Sequence, residues 1–136
     1  MKLKIITQER VVFDEEVDEI YSKGLDGEFG LLKGHIPVMT ALDIGVTRAV
    51  QGNETKRFTT MGGILQFKDE ECLILTTLAE PGEEIDEARA RQALEQAKLK
   101  LKNAQARMDA KRAEAAIARA EARLKARLSG DSNLKI

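Results

Sequence analysis

The stretch IDEARARQALEQAKLKLKNAQARMDAKRAEAAIARAEARLKARL, residues 85–128, decides the architecture of this chain. It holds no glycine and no proline, and fourteen of its residues are alanine. Alanine has the highest helix propensity, and the Leu, Lys, Arg, Glu and Gln that fill most other positions lose little rotamer freedom in a helix. The stretch is therefore helical. Its large apolar residues are few: Leu94, Leu99, Leu101, Met108, Ile117, Leu124 and Leu128. Ala90, Leu94, Ala97, Leu101, Ala104 and Met108 advance in steps of four and three, the spacing of a heptad seam. A second seam, Ala113, Ile117, Ala120, Leu124 and Leu128, is out of register with the first. Asn103 suits a helix end and Asp109 suits an N-cap. The pattern predicts two antiparallel helices over 85–103 and 109–128, followed by a frayed tail over 129–136. Glu83, Glu84, Asp86 and Glu87 fall where the first helix dipole favours negative charge.

Residues 1–83 read as a different kind of protein. Leu3 and Ile5 alternate with lysines, Val11-Val12-Phe13 follow a polar step, and Val17–Ser22 is a third β-prone run. Gly24, Gly27, Gly30, Gly34 and Pro37 then crowd one segment, which predicts turns or close backbone approach. Two hairpins are expected beyond it, Ile44–Val50 with Lys56–Met61 and Ile64–Phe67 with Cys72–Leu78. Strand signals at this spacing, with no helical pattern between them, indicate an antiparallel β-sandwich. The turn residues Ala79-Glu80-Pro81-Gly82 close it. The expected fold class is α+β: a sandwich domain over 1–83 for docking, then an Ala-rich helical hairpin over 84–136 as a regulatory arm.

Charge divides at the same boundary. Residues 1–83 carry 9 Lys+Arg against 15 Asp+Glu, and residues 84–136 carry 13 against 8. An acidic body bears a basic arm. No apolar run is long enough to span a membrane, and the N-terminus lacks the apolar core of a signal peptide, so a soluble chain is expected. The single cysteine, Cys72, excludes an internal disulfide and fits a reducing compartment.

No catalytic set emerges. The P-loop pattern is absent, and the glycines at 24, 27, 30 and 34 precede no helical pattern. His35 has no Ser or Cys partner and reads as part of a Gly-rich interface loop. Cys72 opens an apolar run and reads as a small core residue. Asp14, Glu15, Glu16, Asp18 and Glu19 form a solvated edge in preference to a metal site, because adjacent strand residues face opposite ways. The arm carries more chemistry. Asp86 and Arg89 are three residues apart, and Arg112, Arg119 and Arg123 share a helix face. Clustered guanidiniums suit a polyanion such as a nucleoside triphosphate. They also suit a solvated basic stripe, which the spacing alone favours. A nucleic-acid module and a membrane-surface helix are the readings from other classes. The acidic body offers the first no aromatic platform, and an alanine face without tryptophan serves the second poorly.

Four segments, in order and at matching spacing, carry a resemblance. Gly27-Glu-Phe-Gly-Leu-Leu-Lys-Gly-His-Ile-Pro37, Leu42-Asp-Ile-Gly-Val46, Met61-Gly-Gly63 and Ile85-Asp-Glu-Ala-Arg-Ala90 resemble the epsilon subunits of bacterial and chloroplast F-type ATP synthases. The resemblance implies a non-catalytic subunit of the rotating central stalk, bound to the gamma subunit and the ring of c subunits. The place it implies is the cytoplasmic face of the plasma membrane, or the thylakoid membrane in a photosynthetic cell. It also implies an arm that folds down as a hairpin or extends into the alpha/beta catalytic head and blocks ATP hydrolysis. No cofactor is required. Members that bind ATP as a regulatory ligand use positions matching Glu80, Asp86, Arg89, Arg112, Arg119 and Arg123. At one further arginine position this chain has Gln96, which removes a positive charge.

An arm of this composition suits a reversible switch. Helices of about twenty residues span about 30 Å each, or about 60 Å end to end. An alanine methyl contributes only about 0.8 kcal/mol on burial, against about 1.5–3 kcal/mol for a leucine or isoleucine. A ligand selective for the hairpin at a hundred times its Kd adds about 2.7 kcal/mol, enough to bias such an equilibrium.

Overall fold

Eight strands and two helices make up the computed structural model, which describes residues 1–127. The strands are β1 (Lys2–Ile6), β2 (Val11–Glu16), β3 (Glu19–Gly24), β4 (Gly27–Leu32), β5 (Val38–Gln51), β6 (Glu54–Lys68), β7 (Glu71–Leu75) and β8 (Ala79–Pro81). A 3-10 turn at Gly82–Glu84 leads to α1 (Glu87–Lys102) and α2 (Arg107–Arg127). The expected helix end at Leu128 and the frayed tail over 129–136 lie outside the described residues.

The hydrogen-bonded strand order is β2-β1-β7-β6-β5-β3-β4, with β8 on β6. A flat sheet would hold its two edges far apart. Here Phe13 of β2 and Leu31 of β4 share one buried cluster with Leu3, Ile5, Ile20, Leu65, Phe67 and Ile74. The path therefore folds over on itself at the long β5–β6 hairpin, giving the sandwich. Phe13 and Phe58 close it with ring centroids 5.0 Å apart. Positive φ at Gly62 and Gly63 marks the middle of β6, and a Cβ at Gly63 would run into the carbonyl of Leu75. Only glycine fits there. Inside, Ser22, Thr47 and Thr60 satisfy one another through hydroxyl bonds of 2.8 and 3.2 Å.

Several local expectations need correction. The strands of the first hairpin are longer than predicted, because pairing carries β6 straight through Gly62-Gly63, and β7 stops at Leu75. Part of the glycine segment is strand. Gly24 and Gly27 flank the β3–β4 turn, and Gly30 lies under the Tyr21 ring, where a Cβ would stand 2.7 Å from the ring. One pairing, β1 with β7, is parallel, so the sandwich is not wholly antiparallel. In the arm, α1 begins at Glu87, with Asp86 as its N-cap and Asn103 as its C-cap. Asp109 is not a cap: α2 already begins at Arg107, which leaves Asp109 inside the first turn, where its charge still suits the dipole.

The hairpin seam buries Ala90 and Ala97 of α1 against Ala113 and Ala120 of α2, while Leu94, Leu101, Ile117 and Leu124 are half-buried. Met108 does not belong to the seam. It stands 64% exposed at the loop, where the first heptad register has ended. A different face of α2, with Ala122 and Ala126 buried, lies on the sandwich and the 3-10 turn.

Candidate functional site

Four of the six residues singled out by sequence, Glu80, Asp86, Arg89 and Arg123, meet where the arm lies on the sandwich. Strand β8 pairs with β6 so that Glu80 stands opposite Thr59. The Glu80 amide donates to Thr59 Oγ1 at 2.9 Å, and that hydroxyl donates to Glu80 Oε1 at 3.1 Å. Thr59 is fully buried, so the carboxylate is held from the core side. From the arm, Arg123 Nε donates to the same Oε1 at 2.9 Å. Both partners are a little over a quarter exposed. This charge-assisted bond ties α2 to the sandwich.

Gly82 makes the approach of α2 possible. A Cβ there would run into the carbonyl oxygen of Ala126, and would lie 2.8 Å from its carbonyl carbon. The backbone of Gly82 itself has no positive φ, so α2 alone demands the glycine. Asp86 caps α1 by accepting the amide of Arg89 at 3.1 Å. The sequence pairing of Asp86 with Arg89 is thus a contact to the Arg89 backbone. A cavity of about 360 Å³ lies between these groups, lined by Glu80, Glu84, Asp86, Arg89 and Arg123 among others.

Arg112 and Arg119 are elsewhere. They line a shallow cavity of about 760 Å³ on the loop half of the hairpin, with Lys100, Asn103 and Asp109. Helical side chains lean toward their own N-terminus, which in α2 is the loop, so Arg119 leans away from Asp86. Gln96 is exposed and lines neither cavity. The structure therefore gathers four of the six predicted residues: Glu80, Asp86, Arg89 and Arg123. With Glu84 they set three carboxylates against two guanidiniums.

Two residues escaped sequence reasoning. Thr59 orients Glu80, but one threonine in a strand is an ordinary β former and gives no signal. Gly82 appeared as a turn residue, and only the packed helix shows its second role.

The remaining candidates are structural. His35 is exposed, edge-on to Phe67 at 6.0 Å. The acidic edge is engaged locally: Asp14 with Lys2, Glu15 with Lys56, Asp18 with the Gly52 amide and Glu19 with the Tyr21 hydroxyl. Among the described residues no group of three or more His, Cys, Asp or Glu side chains is placed to hold a metal ion. Cys72 is 2% exposed, and burial pushes its thiol up to about 12. It stays protonated at pH 8, so the native protein should resist iodoacetamide and become alkylated only in denaturant. Rapid labelling of the native chain would contradict this burial.

A sandwich carrying a two-helix arm defines the delta/epsilon class of ATP synthase chains. The family model "ATP synthase, Delta/Epsilon chain, beta-sandwich domain" matches residues 1–82, and "ATP synthase, Delta/Epsilon chain, long alpha-helix domain" matches residues 83–127. The ATP synthase epsilon chain of Desulforamulus reducens is 38% identical over 125 residues, covering 92% of this chain and 95% of its own length. That of Carboxydothermus hydrogenoformans is 43% identical over 101 residues, covering 74% and 75% respectively. The chloroplast epsilon chain of Nicotiana tabacum is 35% identical over 126 residues, with 93% and 95% covered. A chain of the Euglena gracilis mitochondrial ATP synthase, solved as an OSCP/F1/c-ring assembly, superposes with a TM-score of 0.81 at 28% identity, covering 93% of this chain and 79% of its own. This chain belongs to the ATP synthase epsilon-chain family, whose members are non-catalytic subunits. None of its described helices is long and apolar enough to cross a membrane.

Proposed function

We propose that the chain is a central-stalk subunit of a rotary ATP synthase, peripheral to the membrane. Its sandwich couples the gamma subunit to the c-ring, and its α1–α2 arm restrains ATP hydrolysis by leaving the sandwich and entering the alpha/beta head. The observation that carries this reading is the poverty of the contact between arm and sandwich. Among the described residues, the fully buried part of α2 there is two alanines, Ala122 and Ala126; Ala118 and Leu124 are half-buried beside Ile44, Gly45 and Val46 of β5, and a partly exposed ion pair joins Arg123 to Glu80. Two methyls contribute about 1.6 kcal/mol, a half-buried leucine about 1 kcal/mol and such a pair about 1 kcal/mol, little enough for a large partner surface to overcome. The released α2 would present Arg112, Arg119, Arg123, Lys125 and Arg127 to an acidic partner surface.

The sandwich has a face suited to docking. Ile6, Leu75, Ile64 and Ala41 pair in one row across β1, β7, β6 and β5, on the side opposite the core row Ile5, Ile74 and Leu65. Ile64 and Leu75 are each about half exposed, as expected of a surface covered by a neighbouring subunit. Adding the full chain to an ATP synthase head stripped of its epsilon subunit should lower ATP hydrolysis several-fold. Tight binding with unchanged hydrolysis would leave the stalk role and remove the inhibitory one.

A further inference from the structure

We propose that Glu80 is an internal latch: it occupies Arg123 and holds the arm on the sandwich without help from any bound anion, and polyanions release the arm where a nucleotide-latched arm would be closed by them. The inference rests on the mobile arm proposed above and concerns what sets its position. Glu80 is prepared before the arm arrives. Its backbone is fixed by the pairing of β8 with β6, and its carboxylate by the buried Thr59 hydroxyl at 3.1 Å. Little side-chain freedom remains to be lost when Arg123 closes to 2.9 Å, so most of the charge-assisted bond is kept as net stabilisation.

A phosphate group reaching for Arg123 meets the opposite situation. It must displace Glu80 and then sit beside Glu80, Glu84 and Asp86, with Arg89 as the other cation of the cavity. The cations that would offset this charge are out of place. Arg112 and Arg119 line the separate cavity at the loop half, and an uncharged, exposed glutamine stands at position 96. An anion therefore competes with the latch and does not reinforce it.

The test reads arm position in the isolated full chain, with spin labels at Glu54→Cys on the β5–β6 turn and Lys111→Cys near the start of α2. Both positions are exposed, and the buried Cys72 stays unlabelled. Wild type should be docked at low salt, with docking reduced by 0.5 M NaCl and reduced again by millimolar tripolyphosphate or Mg-ATP. Glu80→Gln and Arg123→Gln should each raise the ratio of released to docked arm about tenfold, as expected for one charge-assisted hydrogen bond. The double variant should cost no more than the worse single one, because the two residues share one interaction. Docking of Glu80→Gln equal to wild type would overturn the latch. So would additive effects in the double variant, or a wild-type arm that docks as fully or more fully with tripolyphosphate or Mg-ATP. Hydrolysis is not measured, so failure of the inhibitory reading leaves these outcomes unchanged, and the reverse also holds.

Discussion

A chain ending at Glu84 is expected to bind an epsilon-depleted ATP synthase head as the full chain does, yet leave ATP hydrolysis at the depleted rate, several-fold above that with the full chain. The sandwich can stand alone because its buried cluster, from Leu3 to Ala79, contains no residue of α1 or α2. Ending at Glu84 also keeps β8, so the Glu80–Thr59 bonds and the closure of the sandwich near Phe58 survive. Removing the arm uncovers the face under Ile85, Ala122, Leu124 and Ala126 and frees Glu80, a loss on the order of 3–5 kcal/mol from a body with its own core. The apolar row of Ile6, Leu75, Ile64 and Ala41 lies on the outer side of the sheet and is untouched. Gel filtration with the depleted head checks binding, and steady-state hydrolysis checks inhibition. A truncated chain that inhibits as fully as the intact one would place inhibition in the sandwich and leave the arm without a role.

Much of this was legible in residue order, for identifiable reasons. Helix content follows from local propensity, so fourteen alanines without glycine or proline suffice to place the arm. The boundary near Pro81-Gly82 is likewise a local turn signal. Strand length is not local. Gly62-Gly63 reads as a break, yet β5 pairs with β6 on both sides of it, and a partner strand decides how far a strand runs. The arginine cluster failed for a geometric reason. Steps of seven and four put Arg112, Arg119 and Arg123 on one face, but eleven residues of helix cover about 16 Å, so only one end of the set reaches Asp86. Sharing a face is not sharing a site. Glu80 was readable only through the family resemblance; its partner Thr59 and the tight contact at Gly82 arise from packing between segments distant in sequence.

Gly82→Val is expected to act in the opposite direction from truncation, lowering ATP hydrolysis below the level set by the wild-type chain. The side chain would project into the Ala126 carbonyl, and backbone cannot move aside as a flexible side-chain tip can. Strain of this kind typically costs about 1–3 kcal/mol, a large share of what holds the arm down. It is relieved most simply by release of α2. Gly82 lies outside the buried cluster and at negative φ, so the sandwich itself has no reason to rebel against the substitution. The released-to-docked ratio should rise at least tenfold, read with the same spin labels, while the melting of the truncated sandwich carrying Gly82→Val should match that of its parent. If release frees the arm to enter the catalytic head, the variant inhibits more strongly than wild type. Gly82→Ala should do the same to a smaller extent. A variant that released the arm and raised hydrolysis, as truncation does, would mean that the docked arm is the inhibiting one. The sign of the effect therefore decides which state of the arm acts, and arm removal alone cannot, because it abolishes both.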